Sequence, residues 1–138
     1  MARAMLPICL SVGCLLVAGC EPLTADELGQ QAAAIHSTAA EGALLADGVA
    51  RQRTTSPFVR AHAQELAGAA DASARKLHDA TVPGDLRTAV RRATDLATRT
   101  SSALGDLALS PSDPQGAARI EARLKRLAAR ANRLESTL

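Results

Sequence analysis

Apolar residues recur through most of this chain at alternating steps of three and four, in four separate runs. The first is Leu28, Ala32, Ile35, Ala39, Gly42, Ala46 and Val49, with Leu45 beside it. The second is Val59, Ala63, Leu66, Ala70, Ser73, Leu77 and Ala80. The third, Leu86, Val90, Ala93, Ala97, Thr100, Leu104 and Leu107, is widened by Ala89 and Leu96. The fourth is Ala117, Ile120, Leu124, Leu127, Ala131, Leu134 and Leu138. Residues three and four apart share one face of an α-helix, so each run marks an apolar stripe. No run alternates at every second residue, and strands are not predicted.

Each run opens on a helix-start signal. Thr24 and Glu27 have the spacing of a capping box, in which each side chain takes an amide hydrogen the helix leaves free. Ser56 precedes Pro57, and Asp113 precedes Pro114; each pair sets a capping oxygen before a proline already bent for the first helical position. Pro83 opens the third segment, with Asp85 near the positive end of its dipole. The predicted helices cover 24–52, 57–80, 83–109 and 114–138. Short connections make such helices antiparallel neighbours. The predicted fold class is therefore all-α: a single antiparallel four-helix bundle with Ala-rich seams.

Polar positions support the same reading. Each helix carries an acid four residues before a base: Asp47–Arg51, Asp71–Arg75, Asp95–Arg99 and Glu121–Lys125. Pairs in that order stabilise a helix by ~0.2–0.5 kcal/mol each. The first three recur every 24 residues, which reads as similar helices with similar solvated faces rather than as a repeat. Seams of alanine and glycine let helices approach closely but bury little area. At ~25 cal/mol per Å² such a core is modestly stable.

The segment before Thr24 has another character. Arg3 and the amino terminus give a short basic region, and Met5 to Ala18 is apolar. That stretch falls short of the ~20 residues a spanning helix needs and reads as a secretory signal. It ends in Leu16-Val17-Ala18-Gly19-Cys20. This resembles the lipobox of bacterial lipoproteins: an aliphatic residue three before the cysteine, two small residues, then the cysteine. The competing cysteine, Cys14, has Ser11 where the aliphatic residue belongs. The resemblance implies cleavage between Gly19 and Cys20, and lipid on the Cys20 thiol. Residues 1–19 would be the signal peptide, 20–23 a lipidated tether, and 24–138 the bundle. It implies an extracytoplasmic address on the cell membrane or outer membrane, periplasmic in a Gram-negative host. In enteric bacteria an Asp after the cysteine retains such proteins in the inner membrane; Glu21 stands there instead. The abundant helical outer-membrane lipoprotein is a shorter unbroken coil ending in a wall-linked lysine. This chain has proline breaks and ends Ser136-Thr137-Leu138, so covalent wall linkage is not expected.

The chain has 138 residues, 47% apolar and 22% charged, which bounds it to one globular domain. With one Phe and no Tyr or Trp, it cannot build an aromatic stacking platform for nucleic acid or sugar. Cys9 and Cys14 lie in the signal segment, so the bundle has no disulfide and rests on packing. His62 and His78 stand sixteen residues apart on one helix, ~24 Å, and cannot share an ion. His36 can meet only one of them, and His62 with Glu65 reads as a surface hydrogen bond. No metal site, cofactor or catalytic motif is predicted, and an enzyme is not expected.

Net charge is only +2, so any basic surface must be local. It is local to the last helix. Arg119, Arg123, Arg126, Arg130 and Arg133 each precede a seam position and form a stripe along one edge of it, joined by Lys125. Two readings follow. The stripe could meet an anionic partner: lipid headgroups, lipopolysaccharide or wall polymer, or an acidic protein. Alternatively its guanidinium groups pair with Asp85, Asp95, Asp106, Glu27 or Glu41 on neighbouring helices. Nucleic acid is disfavoured as a partner by the extracytoplasmic address, not by charge. The expected function is a non-enzymatic structural or protein-interaction role in the envelope. The alternatives are an inhibitor or immunity-type protein and a carrier of a small ligand.

Overall fold

The computed structural model describes residues 22–138; the signal segment, Gly19 and Cys20 lie outside them. Four helices follow in chain order, α1 (Ala25–Ala50), α2 (Ser56–Asp79), α3 (Arg87–Leu109) and α4 (Pro114–Glu135), with no strand among the described residues. They form the antiparallel bundle. The most extensive packing joins α1 to α4 and α2 to α3, α1 also meets α3 across the centre, and α2 and α4 stay apart. None of these helices is long and apolar enough to cross a membrane.

The starts follow local chemistry. Glu27 N–H donates to Thr24 Oγ1 at 3.2 Å and Thr24 N–H to Glu27 Oε2 at 2.9 Å, so the capping box forms. The Thr24 N–H, and after it the Thr24 hydroxyl 3.0 Å from the same Oε2, favour the ionised form and hold the Glu27 carboxyl below its ordinary range. Asp113 accepts from Gln115 N–H, with Pro114 beginning α4. The second start differs from expectation: Thr55 is the cap residue of α2, Ser56 lies inside the helix, and no side chain caps it. The third differs more. Leu86 N–H reaches back to Pro83 C=O at 3.2 Å, closing a turn. Glycine directly after the proline is a poor helix former, so a turn stands where the helix start was expected. Helix α3 therefore begins at Arg87 rather than at Pro83, and Asp85 lies outside its first turn.

α1 stops at Ala50 because the chain turns left-handed two residues later, with Gln52 at φ 54°. Arg53 N–H bonds Gly48 C=O at 2.8 Å and Gln52 N–H bonds Val49 C=O at 2.9 Å, the two bonds of a Schellman cap. The Asp47 carboxylate braces it from outside, 2.7 Å from Arg51 and 2.8 Å from Arg53. The Arg51 hydrogen bond is the main reason its carboxyl sits below the ordinary range. A left-handed position disfavours a side chain such as glutamine. Gln52→Gly is expected to raise stability by about 0.5–1 kcal/mol, read as a higher midpoint in urea with unchanged slope; a lower midpoint would refute the strain.

Every seam residue of α1 is buried. In α2 the buried position is Ala74, not Ser73, so the seam steps 70, 74, 77. Ile120 is half-buried, and Leu138, beyond the end of α4, is exposed. The core has two parts. The larger holds Leu28, Ile35, Leu77, Leu104 and Leu124 with many alanines. The smaller holds Leu45, Val49, Val59 and Leu107 at the opposite end, and Ile120 packs against both. Gly42 is the closest approach at the centre: a Cβ there would stand 2.5 Å from Leu104 Cδ2 and 3.2 Å from Leu124 Cδ1. One missing methyl lets α1, α3 and α4 converge.

The start of the bundle is fastened too. Leu23 is buried, and its N–H donates to Thr81 C=O at 2.9 Å. The amino end of α1, the α2–α3 connection and the carboxyl end of α4 thus lie at one end of the bundle.

Candidate functional site

The arginine stripe follows from helical spacing. Steps of four and three keep Arg123, Arg126, Arg130 and Arg133 on one side of α4, beside buried Leu124, Leu127, Ala131 and Leu134. α3 lies alongside and contributes the facing wall. Arg92, Leu96 and Arg99 recur at steps of four and three there, so they share a face too. Between the helices runs an open groove in two sections that meet at Arg130. The first, about 360 Å³, has Arg92, Arg130 and Arg133 on its walls and Leu96 and Leu134 on its floor. The second, about 280 Å³, is bounded by Arg99, Arg123 and Arg126 over Leu127.

Charge in this groove is poorly compensated. Its six arginines meet two nearby carboxylates, Asp95 and Asp106. Arg99 Nε lies 2.8 Å from Asp95 Oδ1, the pair expected within α3. Arg123 Nη1 lies 3.4 Å from Asp106 Oδ2, and both side chains are about half exposed. An exposed pair at that distance contributes little. Arg92, Arg126, Arg130 and Arg133 make no ion pair among the described residues. Arg119 is exposed and does not line the groove.

The structure separates the two sequence readings of the stripe residue by residue. Of the five acids available to neutralise it, only Asp106 reaches a stripe arginine. Asp95 is held by Arg99, Glu27 by Thr24, and Glu41 by His62. Asp85 makes no ion pair among the described residues. Arg92 and Arg99 were missed as groove residues. The available signal was their seven-residue spacing around Leu96.

Two of the three histidines, His36 and His62, are interhelical fasteners. His36 Nδ1–H donates to Ala128 C=O at 3.0 Å, tying α1 to α4 across their alanine seam. His62 Nε2 lies 2.8 Å from Glu41 Oε1 on α1, whereas Glu65, its expected local partner, stands 3.6 Å from Nδ1. Phe58 stacks on the same ring at a centroid distance of 5.5 Å. No group of three or more His, Cys, Asp or Glu among the described residues has the arrangement of a metal site.

No protein-family model, no curated protein and no solved structure matches this chain. Its function is read from its own geometry.

Proposed function

We propose that this chain is a lipid-anchored envelope protein with a non-enzymatic interaction role, and that it holds an anionic partner in the α3–α4 groove. The observation that carries the reading is the groove's uncompensated charge: four of its six arginines lack an acidic partner among the described residues. Guanidinium groups packed side by side repel one another, so a surface of this kind is stabilised when an anion enters it. Arginine also offers a planar fork of donors that fits carboxylate or phosphate oxygens in pairs. The apolar floor adds contact area without desolvating a polar group.

An inhibitor that plugs an acidic cleft calls for arginines on a convex edge. These arginines line a depression, which favours receiving a partner over entering one. The envelope address rests on the lipobox, Leu16 to Cys20.

Reversal of Arg123, Arg126 and Arg130 to glutamate tests the groove. In-cell crosslinking of the tagged full-length chain, read by mass spectrometry, is expected to lose at least about tenfold of its captured partner, at ~1 kcal/mol per displaced arginine. Helicity by circular dichroism is expected to stay unchanged. Undiminished capture would refute the groove as the binding surface, and collapsed helicity would make those arginines structural.

A further inference from the structure

The arginines of the groove are not equivalent. Toward the middle of the bundle, Arg99 and Arg123 have carboxylate partners, Asp95 and Asp106. Toward one end, Arg92, Arg130 and Arg133 have none among the described residues. That end also carries Leu23, whose N–H is held by Thr81 C=O. Arg92 sits about 8 Å along α3 from its first residue, and Arg133 is two residues from the last of α4. Three of the groove's four unpaired arginines are therefore gathered at the end where the chain enters the bundle; the fourth, Arg126, lies in the middle section.

Distance makes that placement matter. Leu23 is docked, so Cys20 can lie at most about 11 Å away along the chain. A lipid on Cys20 would bring this end of the bundle against the bilayer surface. Charges there act over about 8 Å at physiological salt, so the opposite end would feel little of the surface. The groove chemistry fits an amphiphile: guanidinium forks on the walls for phosphate oxygens, and Leu96 and Leu134 beneath for glycerol and upper acyl carbons. Asp95 also borders this section, but its carboxylate is engaged by Arg99.

We propose that the end section of the groove, bounded by Arg92, Arg130 and Arg133, receives the phosphate groups of anionic phospholipids in the leaflet that holds Cys20. This rests on the lipid-anchor reading above. It adds the partner's chemistry and an orientation: the bundle leans its α3–α4 face toward the membrane it is tied to.

The test uses the full chain, processed in cells and reconstituted into vesicles of phosphatidylcholine alone or with phosphatidylglycerol. Arginine modification by phenylglyoxal is followed site by site by mass spectrometry. Arg92, Arg130 and Arg133 are expected to react about fivefold more slowly with phosphatidylglycerol present, while Arg51 and Arg60 at the far end are unchanged. Equal rates in the two vesicles, on a chain whose intact mass shows acylated Cys20, overturn the proposal and leave the anchor standing. A chain with no acyl mass overturns the anchor and this proposal together. Equal protection by inorganic phosphate at matched concentration assigns the section to a free anion and overturns the lipid. Protection that appears only when envelope proteins are added back assigns it to an acidic protein, with the same consequence.

Discussion

Leu104→Ala is expected to lower stability by about 3 kcal/mol, a fall of about 15 °C in melting temperature. Leu104 is fully buried, and its Cδ2 fills the space that a Cβ on Gly42 would need. Removing it leaves a hole at the one place where α1, α3 and α4 converge. Ala39, Ala43 and Ala46 flank Gly42 along α1, and alanine has no side-chain rotamers with which to fill a void. The loss is a large share of the 5–15 kcal/mol typical of a domain this size. A cycle with Gly42→Ala identifies the mechanism. In the presence of Leu104 the new methyl collides; in the Leu104→Ala background it enters vacated space and gains helix propensity. The two changes together are expected to recover about 1 kcal/mol of the loss. Strictly additive effects, or a single-mutant loss below about 1 kcal/mol, would contradict the convergence at Gly42.

Cys20→Ser is expected to abolish acyl incorporation and the cleavage that follows it, and, once the uncleaved signal segment is cut off at an introduced protease site, to release the bundle from the washed membrane fraction to the soluble one. The physical argument is additive burial of methylenes at about 0.8 kcal/mol each; one chain anchors marginally, two or more anchor firmly. Oxygen in place of sulfur leaves the lipid-transfer step without its nucleophile. None of the helices α1 to α4 offers a membrane span that would take over the anchor's role. Labelled palmitate and carbonate-washed fractionation read both effects. Label retained by the serine variant, or tight membrane association of the cut bundle without it, would remove the lipobox from the account.

Local chemistry was legible where a few neighbouring residues settle it. The capping box at Thr24, the Asp113 cap and the ion pairs at four-residue spacing involve groups whose separation the helix itself fixes. Boundaries failed where two local signals compete. Pro83 reads as a helix start, but the glycine after it is a poor helix former, and α3 waits until Arg87. The end of α1 was set by a left-handed Gln52, a residue type that does not advertise that conformation.

The stripe from Arg123 to Arg133 was legible because spacing alone places it on one side of α4. The groove was not. Its second wall depends on how α3 is rotated about its own axis and how far α3 and α4 are held apart, and both are set by packing through Gly42 and the alanine seams. The same holds for the pairing of acids and bases. Sequence supplies five candidate acids for the stripe, but which carboxylate comes within 4 Å of which guanidinium is a property of tertiary position, and only Asp106 arrives.

The sequence by itself determined four amphipathic helices, their antiparallel order and the lipobox expectation, because each depends on spacing along one helix or on contiguous residues. Only the tertiary structure decided that the arginines form a groove, that Arg92 and Arg99 belong to it, and that its end section lies at the same end of the bundle as Leu23. Those facts depend on the relative rotation and offset of helices far apart in the chain, which no period within a single helix encodes.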